Sequence, residues 1–236
     1  MTWQLTPARR RGVEILDDPA TPPDVRERAM RDIVWSNRLF GGTRSVILRF
    51  REAVQTLPSE ALLLDVGTGM ADIAVAAQRE AGRASVALYA IGMDISEQMA
   101  RLARRRLPST IVGSALRIPF ADRAVDVVTC SQVLHHFDDD GARQLVAELH
   151  RVSRGWVVIS DLRRSWLAAG GFWLASIVLR FHPVTRADGV TSVLRGFTGP
   201  ELAALVRDVT GITPHIRRGS FWRLSATWNR AAVKLP

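Results

Sequence analysis

Four short stretches place acids, glycines and histidines at spacings that chemistry can use. The first, Leu64-Asp65-Val66-Gly67-Thr68-Gly69, closes an apolar run and precedes a helical pattern. Glycines at 67 and 69 let the backbone turn tightly and approach a ligand with no side chain in the way. The helix start beyond them offers unpaired N–H groups. Position 72 is Asp, so the third glycine of a dinucleotide fingerprint is missing, and Asp65 suits a cationic amine better than a pyrophosphate. Asp94 ends a second apolar run, where a carboxylate can accept from both hydroxyls of a ribose. Its plainer use is as a helix cap, although Ser96 is placed to serve instead. Ser131-Gln132-Val133-Leu134-His135-His136 follows a later run. There either imidazole, His135 ahead of His136, suits proton abstraction with an ordinary pKa of about 6.5. Capping the next helix or shaping a pocket explains the pair equally well. Asp161 ends the last such run and either caps a turn or orients a substrate or a histidine.

The elements that must hold these residues follow from the hydrophobic pattern. Residues 1–24, rich in Pro, Asp and Arg, read as an irregular lead-in, disordered only at the first few residues. Helical spacing runs from Pro23 to Phe40 and again from Thr43 to Leu57, with Gly41-Gly42 between. No strand signal precedes residue 61. Strands are expected over 61–66, 85–93, 110–112, 124–130 and 155–159, alternating with helices over 71–81, 97–107 and 139–152. Continuous apolar strands alternating with helices imply a parallel sheet covered on both faces. An apolar helix over 166–179, a loop through Gly196, a helix over 199–209 and an antiparallel hairpin near 213–228 complete the chain. The expected fold is α/β: a Rossmann-like, doubly wound, mainly parallel sheet with an N-terminal helical extension and an antiparallel C-terminal edge. Residues 1–60 form the extension or lid and 61–236 the main domain, within one structural unit.

Composition narrows the partners. The 236 residues carry a formal charge of +9, which invites a polyanion. Lys234 is the sole lysine, however, and the arginines are dispersed, with no aromatic-rich RNA-binding motif beside them; nucleic acid is not expected. Cys130 is the single cysteine, which leaves no disulfide and no thiolate zinc cluster, and no metal is expected. The start lacks a secretory layout, and the 166–179 stretch falls short of the roughly 20 residues of a membrane span. A cytoplasmic protein is the expectation.

Taken together, the first three stretches and Leu116-Arg117-Ile118-Pro119-Phe120-Ala121-Asp122-Arg123-Ala124-Val125-Asp126-Val127-Val128 resemble the class I S-adenosylmethionine (SAM)-dependent methyltransferases. The likeness is to the small-molecule branch that includes quinone-biosynthesis enzymes, and it covers roughly residues 61–160. It implies SAM as cofactor, with Asp65, Gly67, Thr68 and Gly69 at the methionine portion, Asp94 on the ribose and Ile95 against the adenine. Ser131 and Gln132 would lie beside the methionine portion and face the substrate. Arg38 would sit in a helical lid and pair with the methionine carboxylate. Many relatives have Gly-Asp-Ala where this chain has Gly113-Ser114-Ala115, so adenine recognition would lean on backbone, Ser114 and Ala115 rather than on a charge. His135, His136 and Asp161 are the candidate catalytic residues.

The acceptor implied is a hydrophobic small molecule, a phenolic polyketide or quinone precursor methylated on oxygen, held by the 166–197 segment. Its aromatics Trp166, Phe172, Trp173, Phe181 and Phe197 would form an apolar wall, with Arg180, Arg186 or Arg195 as anchor. The alternatives are an RNA methyltransferase and a SAM-binding protein without transfer.

Overall fold

The structure, a computed structural model, describes residues 6–18 and 20–232. Seven strands form one sheet: β1 (Glu60–Val66), β2 (Ala87–Asp94), β3 (Thr110–Val112), β4 (Val125–Ser131), β5 (Ser153–Leu162), β6 (His215–Gly219) and β7 (Arg223–Asn229). Their order is β3-β2-β1-β4-β5-β7-β6. The first five run parallel, and β7 lies antiparallel between β5 and β6. Chain order reverses between β1 and β4, and open α/β sheets bind ligands at the carboxyl ends of the strands beside such a point. Asp65, Asp94, Ser131 and Asp161 all lie at or next to those ends.

Apolar burial fixes the layers. On one face, α2 (Gly42–Val54) and α3 (Asp72–Arg83) press Phe50, Val54, Ala74 and Ala77 onto Leu63 and Val127. On the other, α5 (Asp139–Val152) and α8 (Gly199–Thr210) bury Leu145, Leu149, Leu202 and Val206 with Val128, Ile159 and Trp228. Between β2 and β3, α4 (Glu97–Arg104) starts at Ser96, whose hydroxyl accepts from Met99 N at 3.4 Å. Ser96, not Asp94, is thus the side chain that caps this helix. The N-terminal extension is more than a lid, because α2 supplies part of the core beneath the sheet. Ahead of it, α1 (Pro23–Leu39) leans on the insertion that follows β5.

That insertion differs from expectation. After α6 (Trp166–Val178), the stretch read as a loop is a helix, α7 (Pro183–Arg195). Pro183 occupies its first turn and the His182 side chain accepts from Val184 N, as a helix start favours. The helical period was hidden because much of its buried surface is polar: Thr185, Asp188, Ser192 and Arg195 are buried alongside Val193 and Leu194. The lead-in is also packed rather than loose. Asp188 accepts from Ile15 N at 2.8 Å and Leu16 N at 2.9 Å, and Glu14 is buried beneath them. The disorder expected at the first few residues falls on 1–5, outside the described residues.

Candidate active site

The loop after β1 is shaped by three left-handed residues, Gly67 (φ 69°), Gly69 (φ 54°) and Ala71 (φ 60°). Gly67 N and Thr68 N both donate to Met93 O, at 2.8 and 3.0 Å, which ties the loop to the end of β2. Asp65 is buried, and its oxygens accept from Thr68 Oγ1 at 2.8 Å and Thr129 Oγ1 at 2.7 Å. Burial pushes its carboxyl up to about 7 against the two hydroxyl hydrogen bonds that lower it, with Asp72 and Asp94 adding to the rise. An amine approaching Asp65 would share oxygens that already hold the loop. Asp94 Oδ2 accepts from Gly69 N at 3.0 Å and Oδ1 from Ser96 N at 2.9 Å, so this carboxylate at the strand end fixes the turn.

Beside it Ile95 leaves 74% of its surface exposed, an apolar side chain standing open at the strand end. Ser114 is turned inward on its own loop, its hydroxyl accepting from Leu116 N at 3.2 Å, with Ala115 packed against the core. Arg38 is exposed in the last turn of α1. Ser131 closes β4, and Gln132 follows with φ 57°, a left-handed conformation that costs a non-glycine residue about 1–2 kcal/mol. Its amide repays this by donating to Asn37 Oδ1 at 2.6 Å, which clamps α1 over the loop.

The histidines are held differently from a free pair. His135 is buried, with Nδ1 2.6 Å from Asp161 Oδ1 and Nε2 3.5 Å from Glu14 Oε1. The backbone N–H of His135 also donates to Asp161 Oδ2 at 3.1 Å. Burial alone would lower the imidazole pKa; the Asp161 charge and hydrogen bond, aided by Glu14, override it and raise the value to about 9. Both ring nitrogens thus face carboxylates, surroundings unlike those of the unencumbered imidazole expected from the sequence. His136 stacks on it, with ring centroids 4.3 Å apart, and its Nδ1 lies 3.0 Å from Asp17 Oδ1. Arg195 joins the group from α7, donating from Nε to His135 O at 2.9 Å and from Nη2 to His136 O.

A cavity of about 350 Å³ opens beside this cluster. Its wall is mostly apolar: Ile33, Phe40, Leu162, Phe172, Ala175 and Trp222. Of the aromatics expected there, Phe172 lines it, whereas Trp166 and Trp173 are exposed and Phe181 and Phe197 are buried outside its lining. Phe40, Phe221 and Trp222 come instead from α1 and the turn before β7. The anchoring arginine is also a different one. Arg195 is taken up by the histidine carbonyls, Arg180 is exposed, and Arg186 donates to Ser176. Arg223 lines the cavity instead; it is 3% exposed, and its Nη1 has no hydrogen-bond partner. Burial lowers its pKa to about 10, with Asp161 opposing the fall.

Sequence reasoning thus missed Glu14, Asp17, Asn37, Asp188 and Arg223. Glu14 and Asp17 lay in a segment read as irregular. The spacing Thr185, Asp188, Ser192, Arg195 was a usable signal, since it puts four polar residues on one side of a helix.

Residues 63–155 match the family model described as a methyltransferase domain. The strand order and the glycine loop agree with it, and the chain carries a class I, SAM-dependent methyltransferase domain. Among curated proteins it is 34% identical over 104 residues to a demethylmenaquinone methyltransferase of Thermotoga maritima, covering 42% of this chain and 43% of that protein. It is 33% identical over 108 residues to a ubiquinone/menaquinone biosynthesis C-methyltransferase of Desulfotalea psychrophila, covering 44% and 42%. The matches thus span less than half the length of these relatives. Among solved structures, a SAM-dependent methyltransferase from Aquifex aeolicus superposes with a TM-score of 0.58 at 15% identity, over 87% of this chain and 97% of that one. The magnesium protoporphyrin IX methyltransferase of Synechocystis, solved with S-adenosylhomocysteine (SAH), gives 0.53 at 15%, over 94% and 90%. No helix among the described residues is long and apolar enough to cross a membrane.

Proposed function

We propose that this chain is a cytoplasmic enzyme that transfers a methyl group from SAM to an oxygen of an apolar small molecule, a phenolic polyketide or a quinone-like compound. The observation that carries the acceptor side is Arg223. A buried guanidinium with an unpartnered Nη1 in an apolar cavity is expensive unless a ligand oxygen meets it. A phenolate or quinone oxygen supplies that partner, and the aromatic wall takes the ring. The curated relatives are named for quinone biosynthesis, the same acceptor class. An apolar cavity of this size favours such a ligand over an RNA strand.

SAM supplies an electrophilic methyl on sulfur, and the chain's own contribution is placement. The Gly67–Gly69 turn receives the methionine portion, Asp94 the ribose hydroxyls and Ile95 the adenine. Gln132, locked by Asn37, lines the acceptor cavity. Holding the acceptor oxygen in line with the sulfur–methyl bond makes the reaction effectively unimolecular. The acceptor binds as its phenolate, its proton lost to solvent, with the oxygen on Arg223, while His135, fixed between Asp161 and Glu14, shapes the wall beside it. The test is incubation with methyl-labelled SAM and a panel of alkylated phenols and hydroquinones. The expected product carries one labelled methyl on oxygen, and Arg223→Ala raises the acceptor KM at least tenfold. Label entering RNA and none of the phenols would refute the reading.

A further inference from the structure

We propose that Glu14, His135 and His136 bind one divalent transition-metal ion, of zinc or cobalt type, with an open coordination position on the cavity. Glu14 Oε1 lies 3.5 Å from His135 Nε2, Glu14 Oε2 lies 3.8 Å from His136 Nε2, and one ligand atom from each residue falls within 4.8 Å of the others. These separations exceed a good N–H···O hydrogen bond of about 2.7–3.2 Å. They are close to the spacing of ligands around a tetrahedral ion: bonds of about 2.0–2.1 Å put neighbouring ligand atoms roughly 3.3–3.4 Å apart. The three ligand atoms lie within 4.8 Å of one another, so an inward shift of the side chains would close the site around an ion.

The outer contacts give a second, independent reason. Each imidazole has its Nδ1 against a carboxylate, His135 on Asp161 at 2.6 Å and His136 on Asp17 at 3.0 Å. That arrangement fixes the tautomer with hydrogen on Nδ1 and turns the Nε2 lone pair toward Glu14. It is how metal-binding histidines are oriented. Charge agrees: with neutral imidazoles, Glu14, Asp17 and Asp161 against Arg195 leave an excess of two negative charges within the cluster, which a dication would neutralise. Two imidazole nitrogens and one carboxylate select zinc, cobalt or iron over magnesium or calcium, which prefer oxygen throughout. Three protein ligands leave a fourth position free, as in catalytic rather than structural sites. Glu14, His135 and His136 all line the cavity, so that position faces the acceptor, whose oxygen is a suitable ligand. The acceptor clause rests on the proposed function; the metal site does not.

The test uses untagged protein, stripped with chelator and titrated with Co²⁺ while visible absorption is followed. One Co²⁺ per chain is expected, with intense bands of low coordination number that Zn²⁺ abolishes. Glu14→Gln and His136→Asn should each weaken binding at least tenfold, with SAH affinity, measured by calorimetry, unchanged as a check on the fold. Uptake by wild type no tighter than by either variant, or only the pale spectrum of the aquo ion, would overturn the proposal. If the variants misfold, X-ray absorption on Zn²⁺-loaded wild type decides. Two imidazole scatterers at about 2.0–2.1 Å support the site and their absence refutes it. Metal uptake without methyl transfer would spare this inference and sink the functional reading; transfer without uptake would do the reverse.

Discussion

Replacing Gly67 by alanine should damage both stability and cofactor binding, by an amount the geometry allows one to work out. Its φ of 69° lies in the left-handed region, which costs a non-glycine residue about 1–2 kcal/mol. A Cβ there would stand 2.2 Å from Val133 Cγ2, far inside van der Waals contact. Val133 is partly packed against the sheet core, so relief means moving the Gln132–His136 stretch or an off-rotamer methyl. Such overpacking adds about 1–3 kcal/mol. The total, about 2–5 kcal/mol, corresponds to a fall in Tm of roughly 4–20 °C for a chain of this length. Only one Val133 methyl is at fault, because the next atoms are 3.5 and 3.6 Å away. Val133→Ala should therefore return the steric part and leave the backbone part. Thermal unfolding of the two single variants and the double variant forms the cycle, with an expected coupling of about 1–3 kcal/mol. A Gly67→Ala protein melting within a degree of wild type, or no coupling with Val133, would refute the account of this loop.

The remaining predictions concern charge and burial. The Asp65 carboxyl is raised to about 7 from an unfolded value of 3.8, so its contribution to stability is full below pH 4 and is lost as pH climbs through 7. Chemical denaturation of wild type should show that decline, by no more than about 4 kcal/mol, and Asp65→Asn should flatten it. Arg223→Met should leave Tm little changed, since it exchanges a buried cation with one unpartnered nitrogen and two long hydrogen bonds, to Phe40 O and Asn37 Oδ1, for an apolar chain of similar length, while acceptor affinity falls. Loss of both together would contradict the anchoring role. Asp188→Ala removes the acceptor of two backbone N–H groups and should weaken the protein by about 2–4 kcal/mol. Hydrogen exchange should then quicken at Ile15 and Leu16 before the sheet is affected.

The parallel sheet, the glycine turn and the Asp94 strand end were legible because each is written in consecutive residues: apolar runs, glycines and an acid at a strand end. The antiparallel edge was legible for the same reason. The surroundings of His135 were not. Its partners Glu14, Asp161 and Arg195 come from three segments distant in sequence, and only the fold brings them together. With them absent, an ordinary histidine pKa was the natural expectation. Helix α7 escaped notice because an apolar stripe is the usual mark of a buried helix face, and this face is buried against a polar cluster. Arg223 was one arginine among many until its burial set it apart. Ala71 shows the reverse: a residue that looks like the start of a helix, yet sits in a left-handed conformation at its cap.

Calorimetric titration with SAH tests the central claim most directly. The account predicts one site per chain with a micromolar dissociation constant, on the order of −7 to −8 kcal/mol. Asp94→Ala should weaken it by about 1.5–3 kcal/mol through lost charge-assisted hydrogen bonds to the ribose. Tight binding of NADH with none of SAH, or an Asp94→Ala protein that binds SAH as wild type does, would contradict it.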